Sequence, residues 1–327
     1  MLKLWFRSTH AAAATPTCRK GVIRTTVWSF CLAVCTTTVA SREIIPVPNH
    51  SFELPTTEFA DPRIDSWQEG PKPVWFDESS GYTWDQLTGV FANTLPGSAD
   101  HIDNCDGAQA IFLFAVPQVV MFQDYDSTDW TNPSTPSHAF NAKYEVGREY
   151  DLTVGLIGGG GGMKLGVSLM LSLYYRDTPQ TMATVAASNV VYTPTLFSNN
   201  THFVDINLRV PTVKASDLWA GKHIGIQILS TVAPDLIGGY WDIDNVRLSS
   251  SLPQPMLATP VLSEGALSFN VLSEPGARIE ILTSPDASAP LANWNHLDTV
   301  TNSTGSMVFT SEPLVTSPRF YLARQLP

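Results

Sequence analysis

The stretch "YWDIDNVRL", residues 240–248, predicts a strand that carries two acids. Side chains alternate between the two faces of a strand, so Asp242 and Asp244 are expected on the same face as Val246 and Leu248. A buried carboxylate is costly unless it is hydrogen-bonded, paired with a cation or bound to a metal. The stretch therefore indicates that something in the fold compensates these two acids.

Short apolar and β-branched runs alternate with breaks rich in Gly, Pro, Asn and Asp between Ile44 and Leu248. Two runs, "HFVDINLRV" at 202–210 and "HIGIQILS" at 223–230, show the period-two alternation that is typical of half-buried strands. Helical periodicity is nearly absent. Many short strands in a segment of about 200 residues favour an all-β, antiparallel sandwich.

A Pro-rich stretch, "SLPQPMLATP", divides the chain at residues 251–260 and predicts a linker. Beyond it, "LSFNVL", "ARIEILTS", "SMVFTS" and "RFYLAR" predict the strands of a second, smaller β domain over residues 261–327. The larger domain then covers residues 41–250.

The first 40 residues differ from the rest in charge and hydropathy. They contain five basic residues and no acid, then the apolar run "VWSFCLAVC" at 27–35 and the small residues of "TTTVA" at 36–40. This order is typical of a secretory signal peptide cut near Ala40–Ser41. The apolar run is short for a membrane span of about 20 residues. We therefore expect an extracellular, cell-surface or periplasmic protein that is not inserted in a membrane after cleavage.

Removal of residues 1–40 would leave 14 basic and 30 acidic residues, a net charge of −16. Such an acidic chain repels phosphate backbones, and no basic stripe is present, so nucleic acid is not an expected partner. Cleavage would also leave Cys105 as the single cysteine, which cannot form an internal disulfide. No motif links a histidine to Cys105, so we interpret it as a structural cysteine rather than a nucleophile.

Five consecutive glycines, 158–162, lack the Gly-Lys-Ser/Thr sequence of a phosphate-binding loop and predict a flexible hairpin connection. Two acidic clusters, "DHIDNCDG" at 100–107 and "DYDSTD" at 124–129, lack the glycine and final glutamate of an EF-hand loop. The turn-forming tendency of Asp and Asn explains both clusters more simply than a loop calcium.

Residues 58–108 show little regular patterning and are rich in aromatic residues. Loops on a rigid sandwich commonly carry function, and exposed Trp and Tyr rings can stack on sugars or other ligands. The candidate ligand-binding residues in and near this segment are Trp75, Tyr82, Trp84 and Trp130. The alternative for each is a ring that caps the end of the sandwich, and Trp67 is the one most expected in the core.

Five motifs together resemble secreted bacterial domains of the galactose-binding-like, carbohydrate-binding-module class, which includes the calcium-dependent Stig cyclases. The motifs, in chain order, are "VPNHSFELP" (47–55), "DGAQAIFLF" (106–114), "YEVGREYDLTVGL" (144–156), "AGKHIGIQIL" (220–229) and "WDIDNVRL" (241–248). The resemblance implies a jelly-roll β-sandwich whose first and last strands pair and are joined by calcium. The smaller domain is similar to Ig- or fibronectin-like modules, which implies no chemistry.

The resemblance also implies two calcium ligands, Glu53 in the "N-x-S-F-E" position and Asp244 in the "D-N-V-x-L" position. Calcium takes six to eight oxygen ligands, a mixture of carboxylates and carbonyls. Asn49 and Ser51 are expected on the same face of the first strand as Glu53, where they could contribute further oxygens. Asp242 is expected beside this site or at the surface. The alternative is that backbone N–H groups alone satisfy Asp244.

We expect a secreted, non-catalytic protein that binds a glycan or another extracellular ligand through its aromatic loops, with calcium in a structural role. One alternative is a Stig-cyclase-like enzyme that protonates an apolar terpenoid substrate, with Asp244 as the candidate acid. A glycosidase and a purely structural matrix protein are further alternatives. The fold class hosts many functions, so the sequence leaves these open.

Overall fold

The computed structural model describes residues 42–264, 266–312 and 319–326. The predicted signal peptide lies outside the described residues. In those ranges no helix is long and apolar enough to cross a membrane. Strands dominate the described chain, and its helices are short 3₁₀ turns at Glu78–Ser80, Trp84–Gln86, Pro234–Leu236 and Leu291–Asn293.

The first sheet contains seven antiparallel strands. They are β1 (Glu43–Ile45), β2 (Ala60–Asp61), β4 (Thr88–Ala92), β5 (Gln109–Phe114), β9 (Glu149–Gly160), β12 (Val204–Val210) and β14 (Tyr240–Ser251). Their order is β12-β9-β14-β5-β4-β2, and β1 pairs with the end of β14, where Ile45 lies opposite Leu248. The first and last strands of the larger sandwich therefore pair, as the resemblance implied.

The second sheet contains five antiparallel strands in the order β11-β10-β13-β6-β3. They are β3 (Gln68–Glu69), β6 (Val120–Gln123), β10 (Ser168–Thr178), β11 (Thr181–Val191) and β13 (Gly225–Ser230). A separate short pair is formed by β7 (Thr128–Asp129) and β8 (Asn132–Pro136). Fully buried side chains of both sheets, such as Trp241 and Leu171, belong to one hydrophobic core. This packing of sheet on sheet confirms the predicted all-β sandwich.

The C-terminal strands form two three-stranded sheets, β15-β16-β19 and β18-β17-β20. The strands are β15 (Met256–Ser263), β16 (Ala266–Leu272), β17 (Ala277–Ser284), β18 (Asn295–Asn302), β19 (Ser306–Thr310) and β20 (Phe320–Leu326). Both sheets share a separate core in which the rings of Phe269 and Tyr321 lie 5.5 Å apart. A second, smaller β-sandwich is therefore present. Its similarity to Ig-like modules and the predicted domain boundaries stay predictions.

The side chains of β14 do not point to the faces of the sheet that the sequence predicted. A register shift against β9 falls between Asp244 and Arg247, and Asn245 adopts a φ of 54°. Such a bulge inserts one residue and reverses which side chains point inward. Trp241, before the bulge, and Val246, after it, both belong to the core. The expectation that Asp244 and Val246 share a face is wrong, and the two acids face away from the core.

The glycine run also differs from the prediction, since Gly158–Gly160 belong to β9, and β9 and β10 lie in different sheets. It is therefore not a hairpin connection. A Cβ on Gly160 would lie 2.4 Å from the ring of Tyr240, and one on Gly158 would lie 2.7 Å from that of Trp241. Glycine at these positions lets large rings rest directly on the neighbouring backbone.

Candidate functional site

The outer face of the seven-stranded sheet carries four neighbouring aromatic rings, here called the aromatic face: Tyr82, Phe112, Phe114 and Tyr240. Ring centroids are 5.5 Å apart for Tyr82 and Phe114, 5.8 Å for Phe112 and Phe114, and 5.9 Å for Phe114 and Tyr240. The sheet register creates this group, because Tyr240 lies opposite Phe114 and Asp242 lies opposite Phe112. Side chains opposite each other in an antiparallel pair share a face.

Asp242 is the one acid of this group, and it is set among the rings. It accepts no hydrogen bond and forms no ion pair with any residue that the structure describes. Burial raises the pKa of Asp242 to about 7, because removal from water penalises the charged carboxylate. Asp242 is nevertheless only partly buried. A ligand on the aromatic face can therefore reach a carboxyl group whose hydrogen bonds are unused.

The tyrosines of the aromatic face are also accessible. Tyr82 is 59% exposed, and Tyr240 is partly buried over Gly160. Neither hydroxyl makes a hydrogen bond to a described residue. The face therefore offers planar apolar surfaces together with three polar groups that have no partner among the described residues.

The four predicted binding residues do not form one surface. Trp84 is 2% exposed and donates its indole N–H to the carbonyl of Gly70 at 2.8 Å, so it belongs to the core and offers no open ring face, contrary to the prediction. Trp75 is 48% exposed and packs edge-on against Trp84. The guanidinium of Arg63 covers one face of Trp130, 4.8 Å from its centroid. Of the four, Tyr82 alone joins the aromatic face.

Trp67 is buried in the core, as predicted. Its ring packs against Phe52, with 5.5 Å between centroids. Phe52 reaches the core because the chain turns at residues 49–52, with Asn49 at a φ of 47° and Phe52 at 57°. This segment is therefore not a strand, and the prediction that Asn49 shares a strand face with Glu53 is wrong. Asn49 instead donates to the carbonyls of Leu54 and Asp65, both at 2.9 Å.

Glu53 and Asp244, the predicted calcium ligands, hold the same loop, residues 103–109. Asp244 is fully buried, and its two oxygens accept the peptide N–H groups of Asp106 and Asn245, each at 2.6 Å. One oxygen of Glu53 accepts the N–H groups of Ala108 at 3.0 Å and Gln109 at 2.9 Å. Glu53 and Asp244, more than 100 positions apart in the sequence, therefore hold the same loop, and their role as calcium ligands stays a prediction.

Peptide hydrogen bonds compensate Asp244 only in part, because burial still raises its pKa to about 7. The carboxylate ligands are all oxygens, which suits calcium. Oε1 of Glu53 already accepts two N–H groups, but Oε2 accepts none from the described chain, and each oxygen of Asp244 keeps a second lone pair. The described residues hold no group of three or more His, Cys, Asp or Glu side chains able to bind a metal. A calcium ion here would therefore need backbone carbonyls and water in addition to Glu53 and Asp244.

Cys105 lies in the same loop and is a free cysteine. Its thiol donates to the carbonyl of Gln109 at 3.1 Å. Burial, followed by the nearby charge of Asp244, raises the pKa of Cys105 well above its usual range, so it stays a thiol at neutral pH. This agrees with the interpretation of Cys105 as a structural residue.

Sequence reasoning missed Phe112, Phe114 and Tyr240. A signal was present in "AIFLF" at 110–114, where alternate residues of a strand must face opposite ways. Ile111 and Leu113 face the core, which leaves Phe112 and Phe114 outside. We predicted binding residues from the aromatic residues of the loops, whereas Phe112, Phe114 and Tyr240 of the aromatic face lie on strands.

No protein-family model matches the chain, and no curated protein matches it. Solved structures, by contrast, do match the chain. A Stig cyclase from Fischerella sp. TAU is 20% identical, with a TM-score of 0.44, and the match covers 65% of this chain and 100% of that one. The CBM22-1–CBM22-2 tandem domain of a Paenibacillus barcinonensis protein is 13% identical, with a TM-score of 0.34, over 89% of this chain and 92% of that one.

A third solved structure is that of the CBM22-1–GH10 modules of a Clostridium thermocellum endo-1,4-β-D-xylanase. It is 14% identical with a TM-score of 0.32, over 61% of this chain and 28% of that one. The structural neighbours thus include Stig cyclases and carbohydrate-binding modules, the two groups that the sequence resembles. Similarity at this level concerns the fold, so the function is argued from the residues of this chain.

Proposed function

We propose that this is a ligand-binding protein whose binding surface is the aromatic face, and that the ligand presents a flat ring, as a glycan does. The observation that carries the proposal is the position of Asp242, a partly buried acid among four aromatic rings that has no partner in the described part of the chain. A polar group that is withdrawn from water and left unpaired is costly to the fold. A ligand that hydrogen-bonds to Asp242 would offset that cost.

The composition of the aromatic face suits a sugar. Pockets for small molecules combine apolar and aromatic surfaces with a few placed polar groups, and the sugar ring has both an apolar face and hydroxyls. Tyr82 and Tyr240 supply exposed ring surface, and their hydroxyls and Asp242 supply three groups for hydrogen bonding. The most exposed ring, that of Tyr82, is the natural stacking partner.

Binding of fluorescent oligosaccharides to the protein without residues 1–40 tests this proposal. Tyr82→Ala should weaken binding about tenfold, since an aromatic contact contributes about 1 kcal/mol beyond its buried area. Asp242→Asn should weaken it by a similar factor through the lost acceptor. Trp130→Ala is the matched control and should leave affinity unchanged, because Trp130 lies against Arg63 outside the aromatic face. Equal loss in all three variants would contradict the assignment, as would loss in Trp130→Ala alone.

Asp242 also favours a second candidate function, acid-catalysed conversion of an apolar, ring-containing substrate. A carboxyl group set among aromatic rings, with no cation beside it, has the surroundings of a general acid. Asp244 is the acid that the sequence suggests for this role, but it is fully buried and accepts hydrogen bonds from two peptide N–H groups. Turnover of an indole-isonitrile terpenoid that Asp242→Asn abolishes, and that Tyr82→Ala reduces, would establish catalysis over binding alone.

We propose in addition that calcium stabilises the larger sandwich through Glu53 and Asp244, and that the protein is secreted. The ion would neutralise two acids that hold the same loop from different strands and turns. Its role is structural, because Asp244 is fully buried below this loop.

Thermal unfolding with and without EGTA tests the calcium proposal. Occupancy at 100 times the dissociation constant stabilises by about 2.7 kcal/mol, so EGTA should lower Tm by about 5 °C or more. Glu53→Gln should abolish this response, whereas Glu58→Gln, an exposed glutamate in the same segment, should keep it. An unchanged Tm in EGTA would remove the calcium proposal and leave the proposal for the aromatic face intact.

A further inference from the structure

A cavity of about 150 Å³ opens on the other sheet of the larger sandwich. Three segments line it: residues 124–126 after β6, Tyr174 and Arg176 of β10, and residues 221–223 before β13. None of these residues belongs to the aromatic face or to the loop held by Glu53 and Asp244. A cavity of this size holds one six-membered ring, since benzene fills an engineered cavity of about 150 Å³.

The floor of the cavity is a fixed polar network. The carboxylate of Asp124 accepts the hydroxyl of Tyr174 at 2.5 Å and two guanidinium N–H groups of Arg176 at 2.8 Å. Its other oxygen accepts the peptide N–H of Asp126 at 2.9 Å. The ring of Tyr174 rests on Gly225, where a Cβ would come within 2.3 Å of it. Such a network is rigid, and a rigid wall lowers the entropy cost of binding.

The rim of the cavity is fixed as well. The ring of Tyr125 lies between the imidazoles of His138 and His223, with centroids 4.0 Å away on each side. His223 is held by Asn141 at 2.9 Å, and His138 by the carbonyl of Tyr125 at 2.8 Å. Burial, followed by the charge of Lys143, lowers the pKa of His223, so its ring is uncharged at neutral pH.

Three charged residues at the cavity, Asp126, Lys222 and Arg176, retain unused hydrogen-bonding capacity in the described chain. Asp126 is about half exposed, and its carboxylate makes a single contact, 3.6 Å from Nε of Arg176. Lys222 is exposed, and its ammonium has no partner in the described part of the chain. The guanidinium of Arg176 bonds to Asp124 and to the carbonyl of Pro179, which leaves N–H groups unused. The cavity thus offers acceptors and donors together.

We propose that this cavity is a second binding site, which takes a single sugar residue through its hydroxyls. Neighbouring hydroxyls of a sugar are donors and acceptors at once, so they match a carboxylate facing two cationic donors. Asp126 would accept from one hydroxyl, while Lys222 and Arg176 would donate to others. A simple anion fits less well, because two aspartates line the same cavity. The site goes beyond the proposed function of the aromatic face and does not depend on it.

The imidazole proton NMR signals report on this site directly, because His223 lines the cavity and is shifted by the stacked ring of Tyr125. The protein without residues 1–40 would be titrated with methyl glycosides of xylose, glucose, galactose and glucuronic acid. At least one should shift the His223 signals saturably, with the signals of His50 and His296 as internal references. A His223→Gln variant assigns the peaks.

Lys222→Gln and Asp126→Asn should each weaken this binding about tenfold, since both side chains are exposed and neither side chain bonds to Asp124; the peptide N–H of Asp126, which does, is kept in the variant. Lys214→Gln, another exposed lysine, is the matched control and should bind as the unaltered protein does. Tyr82→Ala should also bind normally, which separates this site from the aromatic face. The proposal fails if no glycoside shifts His223, if all histidines shift together, or if Tyr82→Ala abolishes the effect while Lys222→Gln does not.

Discussion

Asp242 on β14 and Asp124, directly after β6, are acids withdrawn from water at different sheets of the same sandwich. They differ in the hydrogen bonds that the described chain gives them. Asp124 receives a hydroxyl, a guanidinium and a peptide N–H. Asp242 receives none of these from the described chain. The first arrangement compensates a charge within the protein, whereas the second leaves the carboxyl group without a partner in the described chain.

Burial raises the pKa of both Asp242 and Asp244 to about 7, so a raised pKa alone does not distinguish an acid that the protein compensates from one that the described chain leaves unpaired. Asp244, two residues from Asp242 on the same strand, is fully buried, whereas Asp242 is partly buried, and Asp244 has two peptide donors. What separates the three acids is the set of donors that the tertiary structure brings to each. Substitutions that remove an acid should therefore cost stability at Asp124 and not at Asp242.

The largest expected effect is at Asp124. Asp124→Ala leaves the guanidinium of Arg176 and the hydroxyl of Tyr174 without their acceptor, and breaking a buried pair costs about 3 kcal/mol or more. Asp242→Asn, by contrast, should change the free energy of unfolding by less than about 1 kcal/mol, or raise it, because a neutral amide avoids the desolvation of a carboxylate. Urea denaturation measures both. A larger loss for Asp242→Asn would break the comparison.

The intermediate effect concerns the loop held by Glu53 and Asp244. Gly107 has a φ of 101°, and a Cβ there would lie 2.4 Å from Oε1 of Glu53. Gly97 has a similar φ of 94°, but a Cβ there meets nothing within 4 Å. Gly97→Ala should lower the free energy of unfolding by about 1 kcal/mol, because alanine is strained at this positive φ. Gly107→Ala should cost about 1 kcal/mol more, because Glu53 must leave the peptide N–H groups of Ala108 and Gln109.

Thermal unfolding of the two glycine variants measures the difference in stability between them. Both variants carry the same backbone strain, so the remainder is the cost of displacing Glu53. The response of Gly107→Ala to EGTA should also be smaller than that of Gly97→Ala. Equal costs would show that Glu53 moves aside freely, and the loop would then not depend on its carboxylate.

The smallest expected effect is a pH dependence at Glu69, a further acid with an uncompensated oxygen. Its Oε1 is buried without a hydrogen bond from any described residue, and burial, followed by the charge of Asp85, raises the pKa of Glu69 to about 8. Between pH 4.5, the ordinary pKa, and pH 8, the folded state holds a proton that the unfolded state has lost. Stability should therefore fall as pH rises through this window.

Denaturation of the unaltered protein and of Glu69→Gln at pH 5 and pH 8 isolates this contribution. Glu69→Gln should reduce the loss of stability between the two values by about 1 kcal/mol, the equivalent of a shift of roughly one pKa unit after allowance for partial exposure. Parallel pH profiles would show that Glu69 is compensated after all.

Much of the fold was predictable because the strands carry strong local signals. The alternation in "HFVDINLRV" and "HIGIQILS" matches β12 and β13, and "ARIEILTS" coincides with β17. The strand β15 was not predicted, because Pro253, Pro255 and Pro260 mask its apolar positions. The four runs "LSFNVL", "ARIEILTS", "SMVFTS" and "RFYLAR" nevertheless predicted the second sandwich, and they match β16, β17, β19 and β20.

The candidate sites were less predictable for a physical reason that β14 shows. Reading alternation through "YWDIDNVRL" requires an unbroken strand, but Asn245 forms a bulge that only pairing with β9 reveals. The partly buried rings of Phe112 and Phe114 form a candidate binding surface only together with Tyr240, which is about 130 positions away in the sequence and is brought beside them by strand pairing.

The sequence by itself determined the all-β class, the two sandwiches and the acidic character of the chain, because these depend on composition and local patterning. The tertiary structure decided which acid keeps a free carboxyl group, which rings form a face, and where a cavity opens. These depend on sheet register and on donors from distant strands. A carboxylate is compensated by whatever surrounds it in space, and no local pattern records that.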